Sequence, residues 1–161
     1  MRYHIVPARS TADLDAVREL FREYVRWLGI ELAIKGLEAE LTQFPGEYAP
    51  PSGDLLLARG DDGDPLACVG LHPLPLAGAC EIKRLYVRER ARGAGIGYAL
   101  AATVVEFATR LAYREVMLDT LPWMTSAIAI YRALGFERIP PYWDNIVPGI
   151  IYFGRKLDRP G

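Results

Sequence analysis

One stretch of the sequence, residues 80–111 (CEIKRLYVRERARGAGIGYALAATVVEFATRL), constrains the fold more than any other. A strand pattern over 80–87 leads through basic residues into glycines and then into a long apolar helix pattern over 95–111. The glycines stand at alternate positions, Gly93, Gly95 and Gly97. A helix that begins among glycines lacks a side-chain cap, so its first N–H groups and the positive end of its dipole face whatever lies in front. The pattern therefore predicts an anion-binding turn.

The charges around this turn indicate the kind of anion. Five basic residues fall within ten positions, against one acid, in a chain whose formal net charge is −1. They are Lys83, Arg84, Arg88, Arg90 and Arg92. A di- or triphosphate fits this excess, although a solvated strand end would show the same letters. Two phosphate-binding motifs fail: no Lys-Ser or Lys-Thr follows as in a P-loop, and the third glycine of a dinucleotide fingerprint falls on Tyr98.

Length and composition are those of an ordinary globular protein. At 161 residues, 51% hydrophobic and 24% charged, the chain fits one domain, which we expect to span 1–161. The near-zero net charge argues against nucleic acid or an anionic membrane as a partner. Two cysteines and two histidines show no metal-ligand spacing, so we expect no metal. The sequence shows neither a signal-peptide pattern nor an apolar stretch of membrane-spanning length, which predicts a cytoplasmic protein.

The remaining segments alternate between strand and helix periodicity. Ser10 and Asp13 have the spacing of a helix N-cap, ahead of an amphipathic helix over 11–28. The other expected elements are strands over 3–6, 55–58, 66–74, 80–87, 115–120 and 149–157 and helices over 37–44, 95–111 and 126–136. This order predicts a single-domain α/β fold, a mixed, mostly antiparallel twisted sheet flanked by helices.

The segment LYVRERARGAGIGYAL resembles the R/Q-x-x-G-x-G/A motif of the GCN5-related N-acetyltransferases (GNAT), a superfamily that transfers acetyl from acetyl-coenzyme A to amines. Arg92 matches the first motif position, and Gly95 and Gly97 match its glycines. In that superfamily the loop N–H groups hold the coenzyme pyrophosphate, and a bare backbone would let the phosphate approach. The resemblance implies a coenzyme site formed by Leu85, Tyr86, Val87, Arg92, Gly93, Ala94, Gly95, Ile96, Gly97 and Tyr98.

A second segment, LDTLPWMTSAIAIYRALGFERI, resembles the superfamily helix with the pattern A-I-x-L-Y-x-x-x-G-F. The matching residues are Ala127, Ile128, Ile130, Tyr131, Gly135 and Phe136. Met124 departs from the pattern, because many members have an asparagine there that contacts the pantetheine arm. Tyr98 also departs from it, standing where a polar or basic residue is common. The tail RIPPYWDNIVPGIIYF resembles a bacterial branch of the superfamily for which no substrate can be named.

The resemblance also implies catalytic roles. Tyr131 matches a tyrosine that protonates the leaving thiolate, although a tyrosine among apolar helix residues is equally typical of a core. Glu81 stands where histone-acetylating relatives carry a general base that acts through water; the alternative is a carboxylate paired with Lys83 or Arg84. His72 is an alternative base, because an imidazole titrates near neutrality, or a structural residue.

These roles define an expected reaction and leave other questions open. We expect direct acetyl transfer from acetyl-CoA to a primary amine of a small molecule or peptide, with the Val87 N–H as oxyanion donor. The alternatives are a non-catalytic acyl-CoA-binding module and, less well supported, a Rossmann-type domain. The apolar strand GIIYF allows a homodimer, but would look the same inside its own sheet. Side chains that could line the acceptor pocket are Glu31, Glu38, Glu40, Glu47, Tyr48, Asp119, Thr120, Tyr142, Trp143, Asp144 and Asn145.

Overall fold

The structure, a computed structural model, describes residues 1–145 and 147–157, with every side chain of that part except Leu32. The helices are α1 (Thr11–Leu28), α2 (Glu31–Thr42), α3 (Ile96–Arg110) and α4 (Thr125–Ala133). The strands are β1 (Tyr3–Pro7), β2 (Asp54–Gly60), β3 (Pro65–Pro73), β4 (Ala79–Val87), β5 (Glu115–Thr120), β6 (Glu137–Ile139) and β7 (Ile151–Lys156). Positions 146 and 158–161 of the predicted domain lie outside the described residues.

Within the described residues the strands form one seven-stranded sheet in the order β1-β2-β3-β4-β5-β7-β6. Every neighbouring pair is antiparallel except β4 and β5, which run parallel. The predicted α/β fold with a mixed, mostly antiparallel sheet flanked by helices is therefore confirmed. Because β7 lies between β5 and β6 in its own sheet, its apolar sequence no longer argues for pairing with a second chain. No helix in the described part is long and apolar enough to cross a membrane.

Local sequence explains where most elements begin and end. The Ser10 hydroxyl accepts a hydrogen bond from the Asp13 N–H at 3.0 Å, so the predicted cap of α1 is present. The second helix starts at Glu31, six residues before its predicted start at 37. The earlier start gave no sequence signal, because Ile30 provides no side-chain cap and Gly36 weakens the helical pattern. The strand β6 was not predicted as a separate element, since three residues are too short for a periodic signal.

The sheet separates two apolar cores. On one face α3 and α4 pack over β3, β4 and β5, with Leu100, Val104 and Phe153 at its centre. On the other face α1 and α2 pack over β2 and β3, with Phe21 and Tyr48 fully buried. Both faces of β2 and β3 are covered, which explains their nearly continuous apolar sequences.

The pairing of β4 and β5 is short. It covers three positions, Ala79 with Glu115, Cys80 with Val116 and Glu81 with Met117. Beyond these positions the two strands separate, while β4 stays paired with β3 and β5 with β7. A wedge-shaped opening therefore lies in the middle of the sheet, between residues 82–87 and residues 118–120.

A β-bulge changes the direction of side chains along one wall of this opening. Cys68 lies opposite Tyr86 and Gly70 opposite Lys83, so two residues of β4 face one residue of β3. Arg84, within the bulge, has a φ of 58°, which is unusual for a non-glycine residue. As a result its guanidinium lies on the α1 side of the sheet, 5.5 Å from the centre of the Phe21 ring.

Gly70 tests the packing of the core beside the opening. A Cβ at this position would lie 2.7 Å from a ring carbon of Tyr48, so we expect Gly70→Ala to lower the free energy of unfolding by about 1–3 kcal/mol through overpacking. The matched control is Gly36→Ala, where a Cβ would meet nothing within 4 Å inside a helix, and which we expect to be neutral or stabilising. Urea denaturation of both variants gives the comparison. Equal unfolding energies would contradict the tight contact at Gly70.

Candidate active site

A cleft of about 420 Å³ begins at the opening between β4 and β5 and runs along the start of α3. Its walls are the end of β4, the glycine turn and the segment that joins β5 to α4. The residues predicted to bind the coenzyme line it, apart from Ala94: they are Leu85, Tyr86, Val87, Arg92, Gly93, Gly95, Ile96, Gly97 and Tyr98. The structure thus brings the predicted residues together at one surface.

The three glycines have different physical roles. Gly93 and Gly95 have φ angles of 84° and 81°, in the left-handed region that disfavours side chains. A Cβ at Gly97 would lie 3.1 Å from the Ile130 Cδ1 atom and 3.4 Å from the Val87 Cγ2 atom. Glycine is therefore needed for backbone conformation at the first two positions and for close packing of α3 at the third. These reasons apply to the chain alone, in addition to the predicted approach of a phosphate.

The first turn of α3 presents unpaired backbone donors to the cleft. Gly95 is the N-cap and supplies no side-chain hydrogen bond, and the first intrahelical bond runs from the Ala99 N–H to the Gly95 oxygen at 3.1 Å. The N–H groups of Ile96, Gly97 and Tyr98 therefore have no acceptor within the helix. Together with the helix dipole they form a site suited to an anion.

The five basic residues between positions 83 and 92 are less available to a ligand than the sequence predicts. Among the described residues four of the five cations have acidic partners: Lys83 with Glu81, Arg84 with Glu40, Arg88 with Glu23 and Arg90 with Asp64. Arg92 has no carboxylate within ion-pair distance in the described part, and it lines the cleft. The excess of positive charge thus reduces to one guanidinium beside the glycine turn.

Aromatic residues that the sequence analysis did not assign to the site close one side of the cleft. Trp27, at the end of α1, lies 5.2 Å from Trp123, in the segment after β5, measured between ring centres. The Arg92 guanidinium lies 5.2 Å from the Trp27 ring, and its Nε atom donates to the Val87 oxygen at 3.0 Å. Both tryptophans are about half exposed, 43% and 52%. Two large aromatic side chains, one at the end of a helix and one in a loop, were the signal that could have identified them.

Tyr131 lies behind the cleft wall. Its side chain is 6% exposed and packs beside Phe136, with ring centres 5.7 Å apart, so the predicted core environment is present. Burial, and after it the charges of Tyr24 and Asp119, raises the pKa of its hydroxyl well above the ordinary value. Its hydroxyl has no hydrogen bond to another described residue. The group therefore keeps its proton at neutral pH.

On the opposite side of the sheet, Glu81 belongs to a buried polar network. The His72 Nε2 atom lies 2.8 Å from its Oε1 atom, the Tyr142 hydroxyl donates to its Oε2 atom, and Lys83 Nζ lies 3.9 Å from Oε1. The sequence suggested Lys83 or Arg84 as the partner of Glu81. Lys83 lies at the limit of ion-pair distance, and Arg84 pairs with Glu40 at 3.0 Å instead. Both carboxylate oxygens of Glu81 are thus occupied, chiefly by His72 and Tyr142.

The geometry fixes the protonation of this pair. The His72 Nδ1 atom lies 2.9 Å from the Pro73 oxygen, which only accepts, so Nδ1 carries a proton. Burial raises the pKa of Glu81, but the hydrogen bond from His72, the charge of Lys83 and the hydrogen bond from Tyr142 outweigh it, and the pKa is lowered. Burial lowers the pKa of His72, but its bond to Glu81 and the charge of Glu47 outweigh this, and the pKa is raised. Both directions favour an imidazolium paired with a carboxylate.

Asp119 and Thr120, the two polar residues at the end of β5, lie on opposite faces of the sheet. Asp119 is half-buried, and the Trp143 Nε1 atom donates to its Oδ2 atom at 3.1 Å. The Thr120 hydroxyl, on the other face, contacts the Met124 sulfur at 3.5 Å. Trp143 and Tyr142 thus contact Asp119 and Glu81, and their place in an acceptor pocket stays a prediction.

Most of the glutamates expected near the acceptor pocket are paired with basic residues. Glu31 pairs with Lys35 and Glu38 with Arg22, both at the surface. Glu40 pairs with Arg84 and also accepts a hydrogen bond from the buried Tyr48 hydroxyl at 3.0 Å. These carboxylates stabilise the α1–α2 face and add little net negative charge to the opening.

Cys68 and Cys80 are fully buried in β3 and β4. Burial raises the pKa of the Cys80 thiol to about 12 and that of Cys68 still further. A thiol that keeps its proton is a poor nucleophile. Neither cysteine is therefore suited to carry an acetyl group, which leaves direct transfer as the simpler reaction.

The fold is a mostly antiparallel sheet that opens between β4 and β5 beside a glycine turn, and this topology excludes a Rossmann-type domain. The acetyltransferase (GNAT) family model matches residues 14–136, and the chain belongs to this family. Its family membership and its N-acetyltransferase relatives support acyltransferase activity.

Individual relatives agree with this membership. An uncharacterised N-acetyltransferase of Schizosaccharomyces pombe is 35% identical over 147 residues, covering 91% of this chain and 90% of that protein. N-acetylaspartate synthetase of Danio rerio is 28% identical over 114 residues, covering 71% of this chain and 40% of that protein. Because these relatives are eukaryotic, assignment to a bacterial branch is not confirmed.

Solved structures share the fold. A GNAT-family acetyltransferase from Staphylococcus aureus Mu50 superposes with a TM-score of 0.79 at 19% identity, covering 98% of this chain and 100% of that chain. The PaiA N-acetyltransferase from Thermoplasma acidophilum, solved in complex with coenzyme A, superposes with a TM-score of 0.73 at 20% identity, with the same coverage. At these identities the likeness concerns the fold alone.

The His72–Glu81 pair predicts how stability depends on pH. Because the pKa of His72 is raised on folding, its contribution is complete below the ordinary histidine pKa and is lost as the pH rises through the raised value. Glu81, with a lowered pKa, loses its contribution only as the pH falls through that value in acid. We expect the free energy of unfolding to decline on the alkaline side, and His72→Gln to remove this decline.

The measurement is urea denaturation at a series of pH values from about 6 to 9, around the ordinary histidine pKa. His4→Gln is the matched control, because His4 is exposed and outside the network. A wild-type unfolding energy that does not fall with rising pH, or an equal change in the His4 variant, would contradict the buried ion pair.

Proposed function

We propose that this protein transfers the acetyl group of acetyl-coenzyme A directly to the primary amine of a small molecule or a peptide. The observation that carries the proposal is the uncapped start of α3 behind two left-handed glycines, with Arg92 at its side. Acetyltransfer in general follows from the family. The donor and the kind of acceptor are what the proposal adds.

The cleft fits a coenzyme A thioester on the chain's own features. The N–H groups of Ile96, Gly97 and Tyr98 and the Arg92 guanidinium suit a pyrophosphate. The opening between β4 and β5 lies beside this turn, and Ile130, the neighbour of Tyr131 on α4, lines the cleft. Met124 lines the cleft and provides no side-chain amide for the pantetheine arm, so the polar contacts there are proposed to come from backbone groups of β4.

When bound, acetyl-CoA would supply an acetyl group activated as a thioester. Tyr131 is the proposed acid that protonates the departing sulfur, because its hydroxyl keeps its proton and has no other described partner. The Val87 N–H, at the cleft, is the proposed donor to the oxyanion. With both oxygens of Glu81 occupied, this residue is better suited to positioning Tyr142 and His72 than to taking a proton from the acceptor.

Relatives support an amine acceptor without defining it. The name N-acetylaspartate synthetase describes an acetylated amino acid as the product of that relative, which is consistent with a small-molecule acceptor here. The pairing of most acidic residues on the acceptor side argues against selection of a polycation by charge alone. The free thiols of Cys68 and Cys80 fit the reducing environment of the cytoplasm.

The proposed phosphate contact can be tested by binding. We expect Arg92→Gln to lower the affinity for acetyl-CoA by about 10- to 150-fold, since a charge-assisted hydrogen bond contributes about 1.5–3 kcal/mol. Arg90→Gln is the control, because Arg90 is paired with Asp64 outside the cleft. Isothermal titration calorimetry with acetyl-CoA, and with NAD as a non-cognate dinucleotide, gives the affinities. Equal affinity of the two variants, or preference for NAD, would contradict the proposed site.

The proposed acid can be tested by turnover. We expect Tyr131→Phe to lower kcat by about 10²–10⁴-fold, the usual contribution of general acid catalysis, with the acetyl-CoA affinity unchanged. Tyr113→Phe is the control, because the Tyr113 hydroxyl donates to the Ser52 oxygen away from the cleft. Thiol release is followed with a panel of amino acids, polyamines and short peptides. An unchanged kcat in the Tyr131 variant would exclude the acid role.

A further inference from the structure

Acetyl transfer to a primary amine requires a group that removes a proton from the acceptor, since an alkyl ammonium has no lone pair for attack. This inference rests on the proposed function. Glu81 cannot easily provide that group, because His72 and Tyr142 occupy its oxygens and its pKa is lowered. A carboxylate with an available oxygen has to be sought elsewhere along the opening.

Asp119 lies at the position in the sheet where such a group is needed. On β5 it follows Met117, the last residue paired with β4, by two positions, so it stands where the strands have separated. Val116 and Leu118 point into the core beneath α3, and side chains alternate along a strand. Asp119 therefore faces the α1 side of the opening, the same side as Glu81 and opposite the core that holds Tyr131.

The contacts of Asp119 leave one oxygen available. Its Oδ2 atom accepts from the Trp143 Nε1 atom at 3.1 Å, which fixes the carboxylate plane. Its Oδ1 atom has no hydrogen bond to another described residue. The side chain is half-buried, so it is neither a surface carboxylate nor sealed in the core.

Electrostatic coupling connects Asp119 to both sides of the opening. Its charge contributes to the raised pKa of Tyr131 on α4. Burial raises the pKa of Tyr24 on α1 to about 12, and the charge of Asp119 adds to this against the opposing charge of Arg84. The charge of Asp119 thus acts on the proposed acid and on a tyrosine of α1.

The ionisable groups around Asp119 come from every element that surrounds the opening. They are Glu81, Lys83 and Arg84 on β4, Tyr24 on α1, Tyr131 on α4, Tyr152 on β7, and Tyr142 and Asp144 in the preceding loop. Burial raises the pKa of Asp119, Lys83 opposes this, and Glu81 adds to it, so the pKa is raised overall. A carboxylate shifted in this direction is a better base for an amine near neutral pH.

We propose that Asp119 binds the ammonium of the acceptor and takes one of its protons. The resulting neutral nitrogen forms the bond to the acetyl carbon, and the carbon–sulfur bond breaks. As the tetrahedral adduct collapses, Tyr131 gives its hydroxyl proton to the departing sulfur. The nitrogen then loses its second proton, which goes to the Tyr131 oxygen and restores the hydroxyl. Asp119 returns its proton to water. The sum is one ammonium and one thioester giving one amide, one thiol and one proton.

The test compares two nucleophiles that differ in their need for a base. The first is the panel amine with the highest turnover, protonated at pH 7, and the second is hydroxylamine, which is neutral at that pH. We expect Asp119→Asn to lower kcat/KM for the protonated amine by about 10²–10⁴-fold at pH 7 and to change the hydroxylamine rate by less than about tenfold. The acetyl-CoA affinity should not change, and Asp119→Glu should restore part of the rate.

The pH profile gives a second readout that a structural role would not produce. With Asp119 present, kcat/KM for the protonated amine stays level between the Asp119 and amine pKa values. In Asp119→Asn only the neutral amine reacts, so kcat/KM rises by about tenfold per pH unit over the same range. Glu115→Gln, at the other end of β5, is the matched control and should keep the wild-type profile, because Glu115 pairs with Lys156 away from the opening.

The outcomes separate this inference from the proposed function. An equal loss with both nucleophiles, or an Asp119→Asn profile identical to wild type, would overturn the role of Asp119 while leaving acetyl transfer intact. Thiol release from neither nucleophile by the wild-type protein would contradict the proposed function itself, and the role of Asp119 with it.

Discussion

The separation of β4 from β5 after three paired positions is the constraint on which the rest of the structure depends. Backbone groups along the opened edges need partners, and an extended ligand with amide groups can provide them. The opening is held by packing on both sides, since α3 fits closely against β4 and α4 only because residue 97 is glycine. The same separation exposes the start of α3 and brings opposite faces of the sheet within reach of one another.

Most charged side chains around the opening are paired with each other, so few remain available to a ligand. Arg84 would be costly to bury alone, but it pairs with Glu40 and lies over Phe21. The imidazolium of His72 is balanced by Glu81 in the same way. What remains is a guanidinium near the glycine turn and a half-buried carboxylate on β5. A ligand with an anionic part and a cationic part would therefore find one complementary group at the glycine turn and another at the opening between β4 and β5.

Sequence patterns predicted the parts of the structure whose contacts join residues close together in the chain. The strand, glycine turn and helix over 80–111 and the cap at Ser10 were predictable because their hydrogen bonds join near neighbours in the chain. The partners of Arg84 and Tyr142 lie 44 and 61 residues away in sequence, so their pairing depends on the tertiary fold. The contact between Trp27 and Trp123 has the same origin. Hence the residues that line the cleft were largely predictable from the sequence, whereas the ion pairs and hydrogen bonds that occupy Glu81 and most of the basic residues were not.

The measurement that tests the account most directly is a titration of the ¹⁵N-labelled protein with acetyl-CoA, followed by amide chemical shifts. The account predicts that the largest changes fall on the N–H groups of Gly95, Ile96, Gly97 and Tyr98, where α3 offers unpaired donors, with smaller changes along β4 from residue 85 to 87. Saturable binding with shifts confined to another surface would contradict the central claim that the uncapped start of α3 holds the anionic part of the coenzyme.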